Sequence, residues 1–174
     1  GYEFVAALSH ALVDGAKLKV LQSAYAGLGE KRVDAKKQLR AAKLLMASRN
    51  FEGEVTVLVK LAAKIAEQAG RPTTENELKD ALSEMLIAFP VYRTYGTLEG
   101  MRADDKALLD QVIEAIGDAG HPVSIEALAL INGILKGDVP SSAAQDAVTF
   151  RTKFQQLTGP IMAKSIEDTL FFRH

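Results

Sequence analysis

Cysteine and tryptophan are both absent from the chain. Without cysteine there is no disulfide, no thiolate metal ligand and no thiol nucleophile. A reducing compartment is compatible with that, and we expect a cytoplasmic protein. Aromatic residues are scarce at 6 %, while apolar residues make up 48 %. Any core must therefore be packed mainly from Leu, Ala, Val and Ile. Neither sign of charge dominates: 21 Lys and Arg against 22 Asp and Glu leave a net −1. That balance argues against a dedicated nucleic-acid binder, which carries a strong basic excess. No apolar run approaches the roughly 18–20 residues a membrane span needs. The opening Gly1-Tyr2-Glu3-Phe4 has no basic segment of a secretion signal. It does not start on methionine either, and we expect an internal piece of a longer protein. The length, 174 residues, suits a single domain over 1–174.

What the chain has in abundance is helical periodicity. Phe4, Val5, Leu8, Ala11 and Leu12 form one stripe, closed by Asp14-Gly15. Leu18, Leu21, Tyr25 and Leu28 form a second, closed by Gly27 and Gly29. Ala35, Leu39, Ala42 and Met46 make a third; Val55, Leu58, Val59, Ala62 and Ile65 a fourth, ended by Gly70 and Pro72. Thr74 and Glu77 have the spacing of a capping box and open a fifth helix with Leu78, Leu82, Met85, Leu86 and Phe89 inward. Leu108, Leu109, Val112, Ile113 and Ile116 define a sixth. Ser124 caps a seventh, through Leu128, Ile131 and Leu135. Ala143, Ala147, Phe150, Phe154 and Leu157 define an eighth, which Gly159-Pro160 is expected to end. The reading is an all-α bundle of about eight helices. One stretch departs from it. After Pro90, Val91-Tyr92-Arg93-Thr94-Tyr95-Gly96 is β-branched and aromatic, and reads as a short extended segment or a strand near 91–95. A lone strand in a helical chain lacks a partner.

Several groupings invite a functional reading and have a plainer one beside it. Lys31, Arg32, Lys36, Lys37, Arg40, Lys43 and Arg49 outnumber Asp34 over residues 31–49. Arg32, Lys36, Arg40 and Lys43 share one helical face, which we read as a solvated face rather than a polyanion grip. Gly27-Leu28-Gly29 follows a helix pattern and has Arg32 where a phosphate loop needs its third glycine, so it is rejected as one. His10, His121 and His174 have no ligand spacing, and no metal or cofactor is expected. Asp104-Asp105, just before the sixth helix, complement its dipole. Tyr92, Arg93 and Tyr95 suit sugar or base recognition, since aromatic faces stack on rings and an arginine fork holds hydroxyls or a carboxylate. They equally suit a strand packed on the fifth helix, with Tyr92 and Thr94 on one face and Arg93 and Tyr95 on the other. Lys164, Glu167 and Asp168, flanked by Met162, Ile166, Leu170, Phe171 and Phe172, suit a carbohydrate site. Spacing alone favours an amphipathic helix with a Lys164–Asp168 pair worth roughly 0.2–0.5 kcal/mol.

The terminal stretch FRTKFQQLTGPIMAKSIEDTLFFRH resembles the signature of the maltooligosyltrehalose synthase family, α-amylase-type enzymes of glycoside hydrolase family 13. That signature runs Phe-x-Gln-x-Thr-Gly-Pro-x-Met-Ala-Lys-Gly-x-Glu-Asp-Thr and then Phe-Tyr-Arg-Tyr. Phe154, Gln156, Thr158, Gly159, Pro160, Met162, Ala163, Lys164, Glu167, Asp168 and Thr169 match it. Ser165 stands where the family has glycine, and Phe172 and His174 where it has tyrosine. AFPVYRTY at 88–95 and GYEF at 1–4 resemble two further family blocks in the same order.

The resemblance implies a helical insert domain of a (β/α)₈-barrel enzyme of trehalose biosynthesis. Such an enzyme is an isomerase, a (1→4)-α-D-glucan 1-α-D-glucosylmutase. It rearranges the reducing-end α-1,4 linkage of a maltooligosaccharide to α,α-1,1, with retention through a carboxylate nucleophile. The family's nucleophile and acid precede the GYEF-like block, and its third carboxylate follows the terminal one. None of the catalytic carboxylates is then expected here, Glu167 and Asp168 included, and the chain alone is expected to be inactive. Tyr2, Tyr92, Arg93, Lys164, Glu167 and Asp168 are implied as substrate contacts. Segments 88–96 and 154–174 are implied to face the remaining barrel of the same polypeptide, and part of 160–174 is expected to change conformation without it. The implied partners are a maltooligosaccharide and that barrel, with no nucleic acid and no membrane. Readings from other classes are an all-α interaction module and a standalone glucan-binding module.

Overall fold

Helical periodicity translates into helix almost throughout. The computed structural model describes residues 2–27 and 34–173; Leu28, Gly29, Lys31, Arg32 and His174, singled out above, lie outside them. Eight helices of ten residues or more occur among the described residues, with no strand. They are α1 (Tyr2–Leu12), α2 (Leu18–Gly27), α3 (Ala35–Leu45), α4 (Glu52–Gln68), α5 (Glu75–Ala88), α6 (Ala103–Ala119), α7 (Ile125–Lys136) and α8 (Ala144–Ser165). Two π-helical turns, Met46–Asn50 and Ile166–Leu170, follow α3 and α8, and a final turn α9 covers Phe171–Arg173. No helix among the described residues is long and apolar enough to cross a membrane.

Where the sequence suggests one domain over 1–174, contacts divide the chain into two compact units, Gly1–Asp34 and Ala35–His174. The first holds α1 and α2, joined by a 3₁₀ turn Gly15–Lys17 whose start is capped by Asp14, which accepts from Ala16 N–H at 3.0 Å. None of its residues with described side chains is buried.

The second unit is built as the stripes predict. Leu58 and Ile65 of α4, Leu78, Leu82 and Met85 of α5, Leu109 and Ile116 of α6, Ile131 and Leu135 of α7, and Phe150 and Phe154 of α8 meet in one core. Phe89 packs edge-on against Phe154 with ring centroids 5.4 Å apart. At about 1.5–3 kcal/mol for each large side chain taken out of water, this burial is the dominant favourable term. The caps also form. Thr74 accepts from Glu77 N–H while the Glu77 carboxylate accepts from Thr74 N–H, completing the box; the Thr74 hydroxyl, and after it the Thr74 N–H, donate to that carboxylate and lower its pKa from the ordinary value. Ser124 accepts from Ala127 N–H at 3.2 Å. α6 and α7 end on Gly120 and Gly137 in the left-handed conformation, φ 66° and 87°, where a side chain would be strained.

Four local expectations are corrected. Gly159-Pro160 does not end the eighth helix; α8 runs through it to Ser165. Leu157, Thr158, Ile161, Met162 and Ser165 are buried on both sides of the proline, so packing holds the helix, while Pro160 and Gln156 (four residues earlier, where the bond is lost) lie exposed to water. The basic face of α3 is solvated only in part: Lys36 is exposed, whereas Arg40 and Lys43 are engaged by α5. Lys43 is 3 % exposed and donates to the Ile87 and Phe89 carbonyls at 3.1 and 2.6 Å, closing the end of α5 that Pro90 leaves open. Arg40 forms a two-pronged pair with Glu84 of α5, at 2.9 and 2.6 Å. The stretch near 91–95 is no strand: Val91 and Tyr92 form a bend, residues 93–96 have no regular structure, and the bridge between Thr97 and Gly100 is isolated. Asp104 and Asp105 sit inside the first turn of α6 rather than ahead of it.

Candidate functional site

The segment after Pro90 and the end of α8 are distant in sequence and meet in space. Residues 91–96 leave α5 at Pro90 and pass α8 on the way to α6. Thr94 points inward, 1 % exposed, while Tyr92 and Tyr95 remain 41 % and 65 % exposed. The Tyr92 hydroxyl donates to Glu167 Oε1, across 75 residues of sequence. Glu167 lies on the π-turn Ile166–Leu170. Such a turn widens the helix by one residue and is often found where function is sited. One helical turn before Glu167, Lys164 Nζ pairs with Asp168 Oδ2 at 2.6 Å, and this pairing holds the lysine pKa above its ordinary value. The Thr169 hydroxyl donates to the Lys164 carbonyl at 2.7 Å. Such a bond across five residues belongs to the π geometry.

Of the six residues implied as substrate contacts, four are thus gathered: Tyr92, Lys164, Glu167 and Asp168. All four are exposed. Arg93 is held differently. Its guanidinium carbon lies 4.9 Å from the centre of the Tyr95 ring, a cation–π contact, and its Nε donates to the Thr94 carbonyl at 3.4 Å. Arg93 and Tyr95 therefore share a face, as their spacing predicts. Tyr2 belongs to the N-terminal unit, and its side chain lies outside the described residues. The gathered groups are two carboxylates, one ammonium and one phenol beside an exposed aromatic ring. Among the described residues, Glu167 Oε2 and Asp168 Oδ1 take no hydrogen bond. The set can accept from and donate to vicinal hydroxyls while the tyrosine ring packs against a C–H face. Glu167 and Asp168 are both solvent-exposed.

Of the residues that place this segment, Asp105 alone was singled out in the sequence, and only as a partner of the α6 dipole. Gln155, Arg151 and Asp105 supply its backbone partners: Gln155 to Gly96, Arg151 to Thr97 and Asp105 to the Tyr95 N–H at 2.9 Å. A signal was present for two of them. Arg151 and Gln155 follow Ala147 at four-residue intervals, so they are polar groups written onto the core-facing stripe of α8. Buried polar groups there require partners.

A separate cavity of about 600 Å³ opens between α4 and α8. Phe51, Val57, Leu157 and Pro160 line it, with Lys153 and Gln156 beside them. None of the five implied contacts with described side chains borders it. No three His, Asp or Glu side chains among the described residues gather as a metal-ligand group. No family model, curated protein or solved structure matches the chain.

Proposed function

We propose that the chain is the helical insert domain of a maltooligosyltrehalose synthase-type enzyme and contributes a sugar-facing wall to that enzyme's site. The observation that carries this reading is the Tyr92–Glu167 hydrogen bond. It joins the two blocks on which the resemblance rests most, AFPVYRTY and the terminal signature, although nothing in their sequence spacing required them to touch. Tyr92, Lys164, Glu167 and Asp168 then hold glucose hydroxyls, and Arg93 extends the same edge. The proposal also includes Arg93, which stacks on Tyr95 instead, and Tyr2, whose side chain lies outside the described residues. The chemistry is left to carboxylates outside this chain. Differential stabilisation of a transition state needs a nucleophile and a proton donor at the anomeric centre, and Glu167 and Asp168 act as substrate contacts only. The cytoplasm and trehalose biosynthesis follow as part of the same proposal.

Two results test it together. The purified chain is expected to leave maltopentaose unchanged, whereas the chain read with its flanking coding sequence is expected to form trehalosyl product. Product from the chain alone, or flanking sequence without a barrel and its carboxylates, would overturn the reading.

A second reading has one observation in its favour. The N-terminal unit leaves Phe4, Leu12, Leu18 and Leu21 between 50 % and 75 % exposed, as an all-α interaction module would. Flanking sequence that encodes no barrel is the result that would favour it.

A further inference from the structure

A segment outside both helix and sheet has backbone donors and acceptors with no ladder to receive them. Residues 91–97 meet that requirement with side chains. The Gln155 amide makes three bonds to the segment. Its oxygen accepts from the Gly96 N–H at 2.6 Å and from the Thr94 hydroxyl at 3.1 Å, and its nitrogen donates to the Gly96 carbonyl at 3.0 Å. One planar amide thus engages both backbone groups of one residue, as the opposite residue of a neighbouring strand does in an antiparallel ladder. Arg151 continues the line. It donates to the Thr97 carbonyl at 2.6 Å and to the Leu135 carbonyl in the last turn of α7 at 3.2 Å. Both side chains are 3 % exposed, so each would be costly on α8 without these partners. Gly96 is fitted to them: a Cβ there would stand 2.8 Å from Arg151 Cδ.

We infer that Gln155 and Arg151 are positioning residues for the Tyr92–Arg93 edge of the site, with Gln155 standing in for the strand that the segment lacks. α8 then grips the segment at Gly96 and Thr97, and its π-turn extension meets the same segment at Tyr92. The separation of Tyr92 from Lys164 and Asp168 is set along one helix. What the edge is positioned for rests on the sugar-site reading above; that it is positioned by these two side chains does not.

The test replaces Gln155 by Met in the full chain. Methionine keeps the volume and removes all three bonds. Amide exchange at Gly96 is expected to accelerate at least about tenfold, and the Tyr92 ring signals are expected to shift. The methyl signals of Leu109 and Ile131 stay in place. Gln155→Glu keeps the acceptor for Gly96 and Thr94 and can pair with Arg151 one turn away. It is expected to restore slow exchange at Gly96, which separates the hydrogen bond from mere filling of space and serves equally if the methionine variant does not fold. Gln145→Met, on an exposed part of α8, is expected to change neither signal. Unchanged Gly96 exchange and unchanged Tyr92 signals in a folded Gln155→Met, or fast Gly96 exchange in folded Gln155→Glu, would overturn the inference. If wild type keeps Gly96 protected and shows no response to maltopentaose, the sugar-site reading fails and the positioning role stands.

Discussion

α1 and α4 carry the same kind of stripe, and only α4 buries it. Val55, Leu58, Ala62 and Ile65 are at most 2 % exposed, whereas Phe4, Leu8 and Leu12 are 70 %, 46 % and 75 % exposed. The pattern of apolar residues states which side chains share a face. It does not state that a second face exists to cover them. In the C-terminal unit four further helices bring complementary stripes, so each helix is held by tertiary packing. In the N-terminal unit, α1 and α2 have eleven and ten residues, near or below the length at which an isolated helix is stable in water.

That contrast can be broken or sharpened by substitution, followed by urea denaturation. The largest effect is expected from Phe154→Ala in the C-terminal core, a loss of about 3–5 kcal/mol. Phe4→Ala, with as large a ring removed from α1, is expected to change stability by less than about 0.5 kcal/mol. An equal loss at both sites would show that the first stripe is covered in solution and would erase the contrast.

Lys43 gives a pH signature confined to the C-terminal unit. Burial lowers its ammonium pKa from 10.5 to about 8. Between those values the folded chain binds fewer protons than the unfolded chain, so stability from this group rises with pH across the window and the charge penalty is present in full below it. Measured against Lys43→Met, wild type is expected to gain up to about 1.4 kcal/mol per pH unit from pH 8 upward. A flat difference between the two proteins from pH 7 to 10 would contradict the burial of this amine.

The caps extend the comparison at smaller scale. Thr74→Ala removes half of the box on α5 and is expected to cost about 1 kcal/mol. Asp14→Ala, which removes the cap of a three-residue turn in the N-terminal unit, is expected to leave the main unfolding transition where it was. The smallest effect concerns Ser165, whose hydroxyl is fully buried without a partner among the described residues. Ser165→Ala removes an unmet polar group and is expected to raise stability by some tenths to about 1 kcal/mol; a loss of stability would mean that the hydroxyl is bonded in solution.

Helices, caps and core were legible because they depend on local spacing. Thr74, Glu77 and Ser124 act within four residues of their partners. Apart from the one-turn misplacement of Asp104 and Asp105 at the start of α6, the main misreadings concern partners far along the chain. Pro160 marks a helix end only if nothing buries the turns on either side of it. Lys43 looks solvated until the open end of α5, more than forty residues away, takes its protons. Tyr92 and Glu167 each had an ordinary explanation alone, and their spacing did not foretell the hydrogen bond between them. Gln155 shows the same limit: its place on the apolar stripe of α8 called for a partner without saying that the partner was Gly96.

The most direct test of the proposed sugar-facing wall is a titration of the ¹⁵N,¹³C-labelled chain with maltopentaose, following Tyr92, Lys164, Glu167 and Asp168 by NMR. The proposal predicts saturable shifts at these four residues, at Arg93 and Tyr95 beside them and at Tyr2, diminished in Tyr92→Phe. No shift at millimolar sugar, or shifts centred on the cavity between α4 and α8, would contradict it.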